Sequence, residues 1–472
     1  MQAAARQRRV HPHWIALAQA LLDPGMTSTR SSPALAHCGD RSGGAPWTCP
    51  FCSLLCDDVG VAAGDYTGEG LALRDSNCPR ATQALAWFTA NADPAPPLVD
   101  GQPVTQAVAL DAGAQLLGRS RQPLFGGLAT DVAGMRALYT LANRTGAILD
   151  HAYGDVMLHS MRALQDRGAF TTTLAELRNR ADLVLCIGTQ PGARHPEFFR
   201  RCGMTEASLV GARELIFLGT PIDPAAHDLP DTRLDTVALH GDLFQTLALL
   251  NALCIPRALA DEGIAPAALR NLAARLKAAR YAALVWNPSA LAAQAHGGHA
   301  ALLIERIHQL IKALNRSTRA GGLSLGGDDG ANTANQAMTW LSGLPLRTGV
   351  HRGGLSHDPH RYGTQRLLRD GNVDALLWVA SFTPELAPPP TALPAITLGH
   401  PALAAALAGR PGVFIPVSTP GIGSRGHLFR TDGGVTLPLT PVLDDGLPTV
   451  AQVATQLLER LPAPQPEPEP AS

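Results

Sequence analysis

The chain has 472 residues, 46% hydrophobic and 16% charged, with a formal net charge of -1. That length allows more than one buried core. The balance of charge excludes a strong electrostatic footprint for nucleic acid or an anionic membrane surface, and no apolar run approaches the ~20 residues that cross a bilayer. Eight cysteines are too sparse for a disulfide scaffold in a chain this long, which points to the cytoplasm.

Residues 1–45 open with a basic patch and a short apolar piece, WIALAQALL, followed at once by DPG. This reads as a disordered extension, or as a start at Met26 rather than Met1, and not as an export signal. Residues 46–95 read as a compact cysteine-bearing head, ending in the linker NADPAPPLVDGQP. The body, 96–455, alternates helix and strand patterns. TQAVALDAGAQLLGRS is helical, QPLFGGL a short strand, and DVAGMRALYTLANRTG a helix closed by Gly146. AILDH, ADLVLCIG and RELIFLG follow as strands, with LAELRNR and GDLFQTLALLNALC as helices. RYAALVWNP is a further strand. ALLIERIHQLIKALN sets Leu303, Ile307, Leu310, Ile311 and Leu314 on one helical face. VDALLWVAS, AITLG and GVFIPVS complete the strands. Strands alternating with helices predict an α/β fold of Rossmann-like parallel-sheet domains covered on both faces. Residues 456–472 are the end of a helix and a disordered Pro/Glu-rich tail.

The chemistry-bearing motif is TCPFCSLLCDDVG. Cys49, Cys52 and Cys56, with Cys78 farther on, give C-x2-C-x3-C-x21-C, a set of thiolates suited to one [4Fe–4S] cubane. A relic head without metal and a zinc site remain as alternatives, although zinc favours paired knuckles. Cys186 and Cys254 read as small core residues. GIGSRG fits G-x-G-x-x-G, but no helix follows it, so a dinucleotide site fails its context test. GGDDGAN lacks the Lys-Ser/Thr of a phosphate loop. The pairs Asp57–Asp58 and Asp328–Asp329 read as solvated turns rather than acid/base carboxylates. His351 and His357 suit surface or hydrogen-bonding roles.

The order of segments resembles the B subunit of formylmethanofuran dehydrogenase, within the molybdopterin oxidoreductase superfamily. After the four-cysteine head come FGGLATDVAGMRALYTLANRTGAILDH, ADLVLCIGTQPGARHPEFFRR, GANTANQAMTWLSGLPLRTGVHRGG and IPVSTPGIGSRGHLFRTDGGVTLPL. The resemblance implies a small Fe–S-type domain on a molybdopterin-oxidoreductase-like body, with the cluster on Cys49, Cys52, Cys56 and Cys78. It places Arg80 between cluster and pterin, and Gly188, Gln190, Pro191 and His195 in a pterin-lining loop, with Gln190 standing where the family has Asn. The family's ANQ-x-M-T-W stretch falls on Asn335, Gln336 and Trp340, and its late glycine stretch on Gly421, Arg430, Asp432 and Gly433.

One departure changes the implied function. The family's molybdenum or tungsten is held by a cysteine just after the strand matching AILDH. Here the segment reads HAYGDVMLHSM, with no cysteine between Cys78 and Cys186; Asp155 is a candidate oxygen ligand in its place. Such chains are similar to the B subunit of bacterial formyltransferase/hydrolase complexes. There an amidohydrolase-like A subunit, a formyltransferase subunit and a C subunit carry one-carbon units from formaldehyde to formate, linked to tetrahydromethanopterin. The resemblance then implies a non-catalytic scaffold with the pterin lost and no catalytic residue of its own. The competing readings are a functional molybdenum or tungsten subunit and a cluster protein passing electrons.

Overall fold

The computed structural model describes residues 47–62, 70–88, 95–255, 265–295, 299–351 and 354–462. The expected extension and most of the expected tail lie outside these residues. The head carries one antiparallel pair, β1 (Gly60–Ala62) with β2 (Ala72–Arg74). The stretch read as a linker ends in a second pair, β3 (Leu98–Val99) with β4 (Gln102–Pro103), which joins the edge of a sheet. Next come β5 (Pro123–Ala129), β6 (Ile148–Leu149), β7 (Leu183–Ile187), β8 (Arg213–Leu218) and β9 (Thr232–Val237). β10 (Tyr281–Trp286), β11 (Arg319–Ser324), β12 (Thr348–His351) and β13 (Gly354–His357) follow. β14 (Ala375–Ala380), β15 (Ala395–Gly399) and β16 (Val413–Pro416) precede a final antiparallel pair, β17 (Gly426–Phe429) with β18 (Thr436–Leu439).

Among the described residues two sheets organise the body. A five-stranded sheet, order β11-β10-β7-β8-β9, is parallel throughout. A nine-stranded sheet runs β13-β12-β6-β5-β14-β15-β16-β3-β4. Its centre is parallel, as the alternation of strands and helices predicts, and both edges are antiparallel, which makes this sheet mixed. Edge strands joined by short connections can pair antiparallel without a crossover helix.

The two-residue period of a strand decides what each side chain meets. In β7, Leu183, Leu185 and Ile187 face the helices Leu243–Cys254, Ala267–Ala278 and Ala300–Leu314. Val184 and Cys186 face the other way, into a core completed by the head residues Phe51, Leu54 and Leu85. The cysteine head is therefore the cover of the sheet's second face. Burying each such Leu or Phe stabilises the fold by about 1.5–3 kcal/mol. The helix Ala300–Leu314 buries Leu303, Ile307, Leu310, Ile311 and Leu314, as its periodicity predicts. Gly146 closes the helix Val132–Thr145 at φ 76°, a conformation that favours glycine. Cys186 and Cys254 are buried core residues.

Arg213, at the start of β8, is 1% exposed, and among the described residues no carboxylate lies within ion-pair distance of it. Its Nε donates to the Ala181 carbonyl (2.9 Å) and its Nη2 to those of Leu177 (3.3 Å) and Arg178 (3.1 Å). These are last-turn acceptors of the helix Leu174–Arg180, where a cation is favoured. Replacing Arg213 by Met keeps the apolar stem but strands the carbonyls. At about 1–3 kcal/mol per buried unsatisfied group, the Arg213→Met chain should be less stable by roughly 2–4 kcal/mol in urea unfolding. A loss under about 0.5 kcal/mol would refute this capping role.

Candidate cofactor cleft between the cysteine head and the body

The C-terminal ends of parallel strands from both sheets converge under the head. β6 leads into Asp150–Tyr153, β7 into Gly188–His195, β10 into Asn287 and β11 into Gly326–Asp329. Crevices at such strand ends are where open α/β sheets bind ligands.

In the head, Cys49, Cys52, Cys56 and Cys78 are all buried and line one cavity with Phe51, Val59 and Pro196. The cavity is small, about 10 Å³. Leu55 at φ 46° turns the chain between the second and third thiols. No group of three His, Cys, Asp or Glu among the described residues is gathered as a single metal ion requires. Four buried thiols on one cavity are the donor type that a [4Fe–4S] cluster takes. Burial pushes the Cys49 thiol up, with Cys56 beside it adding to the effect. Cys52 is raised by burial and then by Asp328. Burial drives Cys56 up to about 12, although the Arg201 and Arg200 guanidiniums pull it back. Burial favours the neutral thiols here, and a metal, where bound, would supply the charge that stabilises them as thiolates.

Behind the thiols stands the loop GGDDGAN. The expectation that Asp328 and Asp329 sit in a solvated turn is overturned: they are 8% and 7% exposed. Gly327, Asp329 and Gly330 all adopt positive φ (89°, 51° and 74°), which turns both carboxylates inward. A Cβ at Gly330 would stand 2.5 Å from the Thr130 carbonyl, so only glycine fits. Asp328 accepts from the Ser53 backbone N–H (2.9 Å) and from Arg80 Nη1 (2.9 Å), and its Oδ1 lies 3.4 Å from His195 Nε2. Burial alone would raise Asp328, but the His195 contact, the Arg80 guanidinium and the Ser53 N–H hold it well below the usual carboxylate range. Asp329 differs. Burial pushes it up, even though the Tyr153 hydroxyl donates to its Oδ2 at 2.7 Å. His151 Nδ1 accepts from the Tyr153 N–H, and its Nε2 lies 3.3 Å from the Asp329 carbonyl oxygen. That arrangement suits a neutral ring protonated at Nε2, and burial lowers His151 to about 4. The other acidic pair, Asp57 and Asp58, is tied to Arg201 and Arg200 at the head's rim.

Two chambers flank this loop. One, about 430 Å³, lies between Phe51, Trp87, Arg80, Asp329 and Glu385. The other, about 370 Å³, lies between Met157, Met161, Asn287, Asn335 and Asp328. Tyr153 and Arg194 border both. Asp155, the candidate oxygen ligand, borders neither; Arg347 Nη2 holds it at 2.5 Å. Arg347 also contacts Asp150 (3.2 Å), which accepts from the Thr364 N–H and hydroxyl.

The remaining residues expected at a pterin loop are spread out. Gly188 turns at φ 56° after β7. Gln190 Nε2 donates to the Pro221 and Ile222 carbonyls, and Pro191 begins the short helix Pro191–Arg194. Asn335 uses its Oδ1 on the Leu346 N–H and lines the second chamber. Gln336 lines neither chamber. Sequence reasoning missed Tyr153, Asp328 and Asp329; the three glycines around the double aspartate were the signal that could have found the last two.

No family model matches the chain. Among known proteins it is 34% identical over 275 residues to the Fhc B subunit of the formyltransferase/hydrolase complex of Methylorubrum extorquens, covering 58% of this chain and 71% of that protein. The chain belongs to that family. The B subunit of tungsten-containing formylmethanofuran dehydrogenase 2 of Methanocaldococcus jannaschii is 27% identical over 428 residues, covering 84% of this chain and 93% of its own. The solved formyltransferase/hydrolase complex (FhcABCD) of Methylorubrum extorquens, in complex with methylofuran, contains a chain of the same fold. It superposes with a TM-score of 0.66 at 32% identity, over 77% of this chain and 98% of that one. Family membership sets the fold; what this member's cleft can hold depends on its own side chains. No described helix is long and apolar enough to cross a membrane.

Proposed function

We propose that this chain is the B subunit of a formyltransferase/hydrolase complex, a non-catalytic scaffold in tetrahydromethanopterin-linked oxidation of formaldehyde to formate in the cytoplasm. Its partners are an amidohydrolase-like A subunit, which cleaves the formyl group, a formyltransferase subunit and a C subunit. Cys49, Cys52, Cys56 and Cys78 hold a [4Fe–4S] cluster that fastens the head to the body. When bound, such a cluster supplies one-electron chemistry; with no second centre to receive the electron, its role here is structural.

One observation carries the reading: after β6 the chain offers Tyr153 and, from the first turn of the helix Gly154–Arg167, Val156 and Met157 to the cleft, while the carboxylate of that turn, Asp155, is engaged by Arg347. None of these is a soft anionic ligand for a group-six metal. Of the groups placed for a pterin, Arg80 and His195 already face Asp328. Trp340, 68% exposed against Phe429, supplies apolar surface of the kind a partner subunit covers.

Tagged chain expressed with its neighbouring subunits should co-purify with the amidohydrolase-like and formyltransferase chains. Elemental analysis should find neither molybdenum nor tungsten, and formate should not reduce viologen dye. Stoichiometric tungsten or molybdenum with dye reduction would establish the catalytic reading instead.

A further inference from the structure

Four features of the Asp328 site belong together. A backbone N–H from Ser53, a guanidinium from Arg80 and an imidazole from His195 converge on one carboxylate. The donors come from both the head and the loop after β7, while the carboxylate comes from the loop after β11. Arg80 borders the first chamber and Asp328 the second, so the cluster of charges lies between two open spaces. His195 Nδ1 is buried and has no hydrogen-bond partner among the described residues.

Convergent donors of this kind form a cradle for an oxyanion. Charge-assisted bonds to Arg and backbone N–H groups are the usual means of holding phosphate or carboxylate. Here the anion is part of the chain. The loop geometry serves that end, because the positive φ angles at Gly327, Asp329 and Gly330 carry the carboxylate inward at a cost in backbone freedom. The Arg80 guanidinium is 29% exposed and the Asp328 side chain 10% exposed, so the pair is partly shielded from water and the carboxylate answers the guanidinium while no external anion occupies the cradle.

We propose that Asp328 is a built-in plug: it fills, from within the chain, an anion site formed by Ser53, Arg80 and His195, closing the cleft to phosphate-bearing ligands and clamping the head to the body. The inference rests on the reading that this chain has given up its pterin, and adds how the vacated charges are satisfied. It implies that the anion site is intact beneath the plug and reappears when the carboxylate is removed.

The test is anion binding by the full-length chain and two variants, using inorganic pyrophosphate and acetate as probes in titration calorimetry and thermal unfolding. Asp328→Ala should lower the unfolding midpoint, bind pyrophosphate about tenfold or more tightly than the parent chain, and regain the lost midpoint as it binds. Acetate, which replaces the deleted carboxylate, should rescue the midpoint more weakly. Asp328→Ser also removes the carboxylate and opens the cradle; it decides the matter if the alanine variant does not fold. Asp328→Ala combined with Arg80→Met should bind neither probe. Equal pyrophosphate binding by the parent chain would overturn the plug, and so would folded Asp328 variants that bind no anion. Neither result bears on the scaffold, which the molybdenum and tungsten analysis decides separately.

Discussion

Anaerobically purified chain should carry about four iron and four sulfide per molecule, and Cys52→Ser should strip nearly all of it. The expectation follows from the position of Cys52. Its thiol is buried and raised by desolvation, then raised further by Asp328. A neutral thiol there gains nothing from the carboxylate behind it; a thiolate on iron is compensated by the metal and by Arg80. Serine offers a hard oxygen in place of a soft sulfur and retains iron poorly. Because Cys49, Cys52, Cys56 and Cys78 share one core with Val184, Phe198 and Phe217, losing the cluster should also loosen the head. Limited proteolysis should then cut the head of Cys52→Ser faster than that of the parent. Stoichiometric zinc, or four titratable thiols with no iron even after anaerobic reconstitution, would overturn the cluster.

Features written in neighbouring residues were legible in the sequence. The Gly146 cap, the apolar face of Ala300–Leu314 and the buried strands β7, β10 and β14 depend on local pattern alone, and each stands where the pattern puts it. The helix Gly154–Arg167 leaves little mark in the sequence, because only Gly154 and Ala163 in it are buried and little apolar periodicity results. β9 escapes for a similar reason: it is an edge strand in which only Val237 is fully buried. The four thiols lie close in the chain, and they line one cavity in the structure.

The double aspartate was not legible, and the reason is distance along the sequence. Adjacent carboxylates among glycines resemble a solvated turn unless their partners are known. Those partners, Ser53 and Arg80, lie 275 and 248 positions away from Asp328. The same holds for Asp155: its exposed backbone neighbourhood gives no hint of Arg347, 192 positions later. How the charged residues of the cleft are used is thus a tertiary property, read only from which charges meet.

Arg347→Met should lower stability by about 3–5 kcal/mol at neutral pH, the usual cost of stranding one member of a buried ion pair. Asp150 is 1% exposed, and its remaining partners are the Thr364 N–H and hydroxyl. No side chain can be inserted at Gly154 to refill the space, since a Cβ there would lie 2.1 Å from Asp150 Oδ1. The dependence on pH gives the diagnosis. Burial raises the Asp150 carboxyl above its ordinary value, and the Arg347 guanidinium is the largest opposing influence. With Arg347 removed the carboxyl rises further, so the folded variant holds a proton that the unfolded chain, with a carboxyl near about 3.9, releases. Stability then falls as pH rises through the raised value and recovers as pH drops toward the unfolded one. Urea-unfolding midpoints should therefore show a deficit at about pH 7.5 that shrinks markedly at about pH 5. Asp150→Asn added to Arg347→Met should flatten that dependence and restore part of the loss. A deficit unchanged between the two pH values would mean that Arg347 acts by packing and by its bond to the Pro359 carbonyl, not through the Asp150 charge.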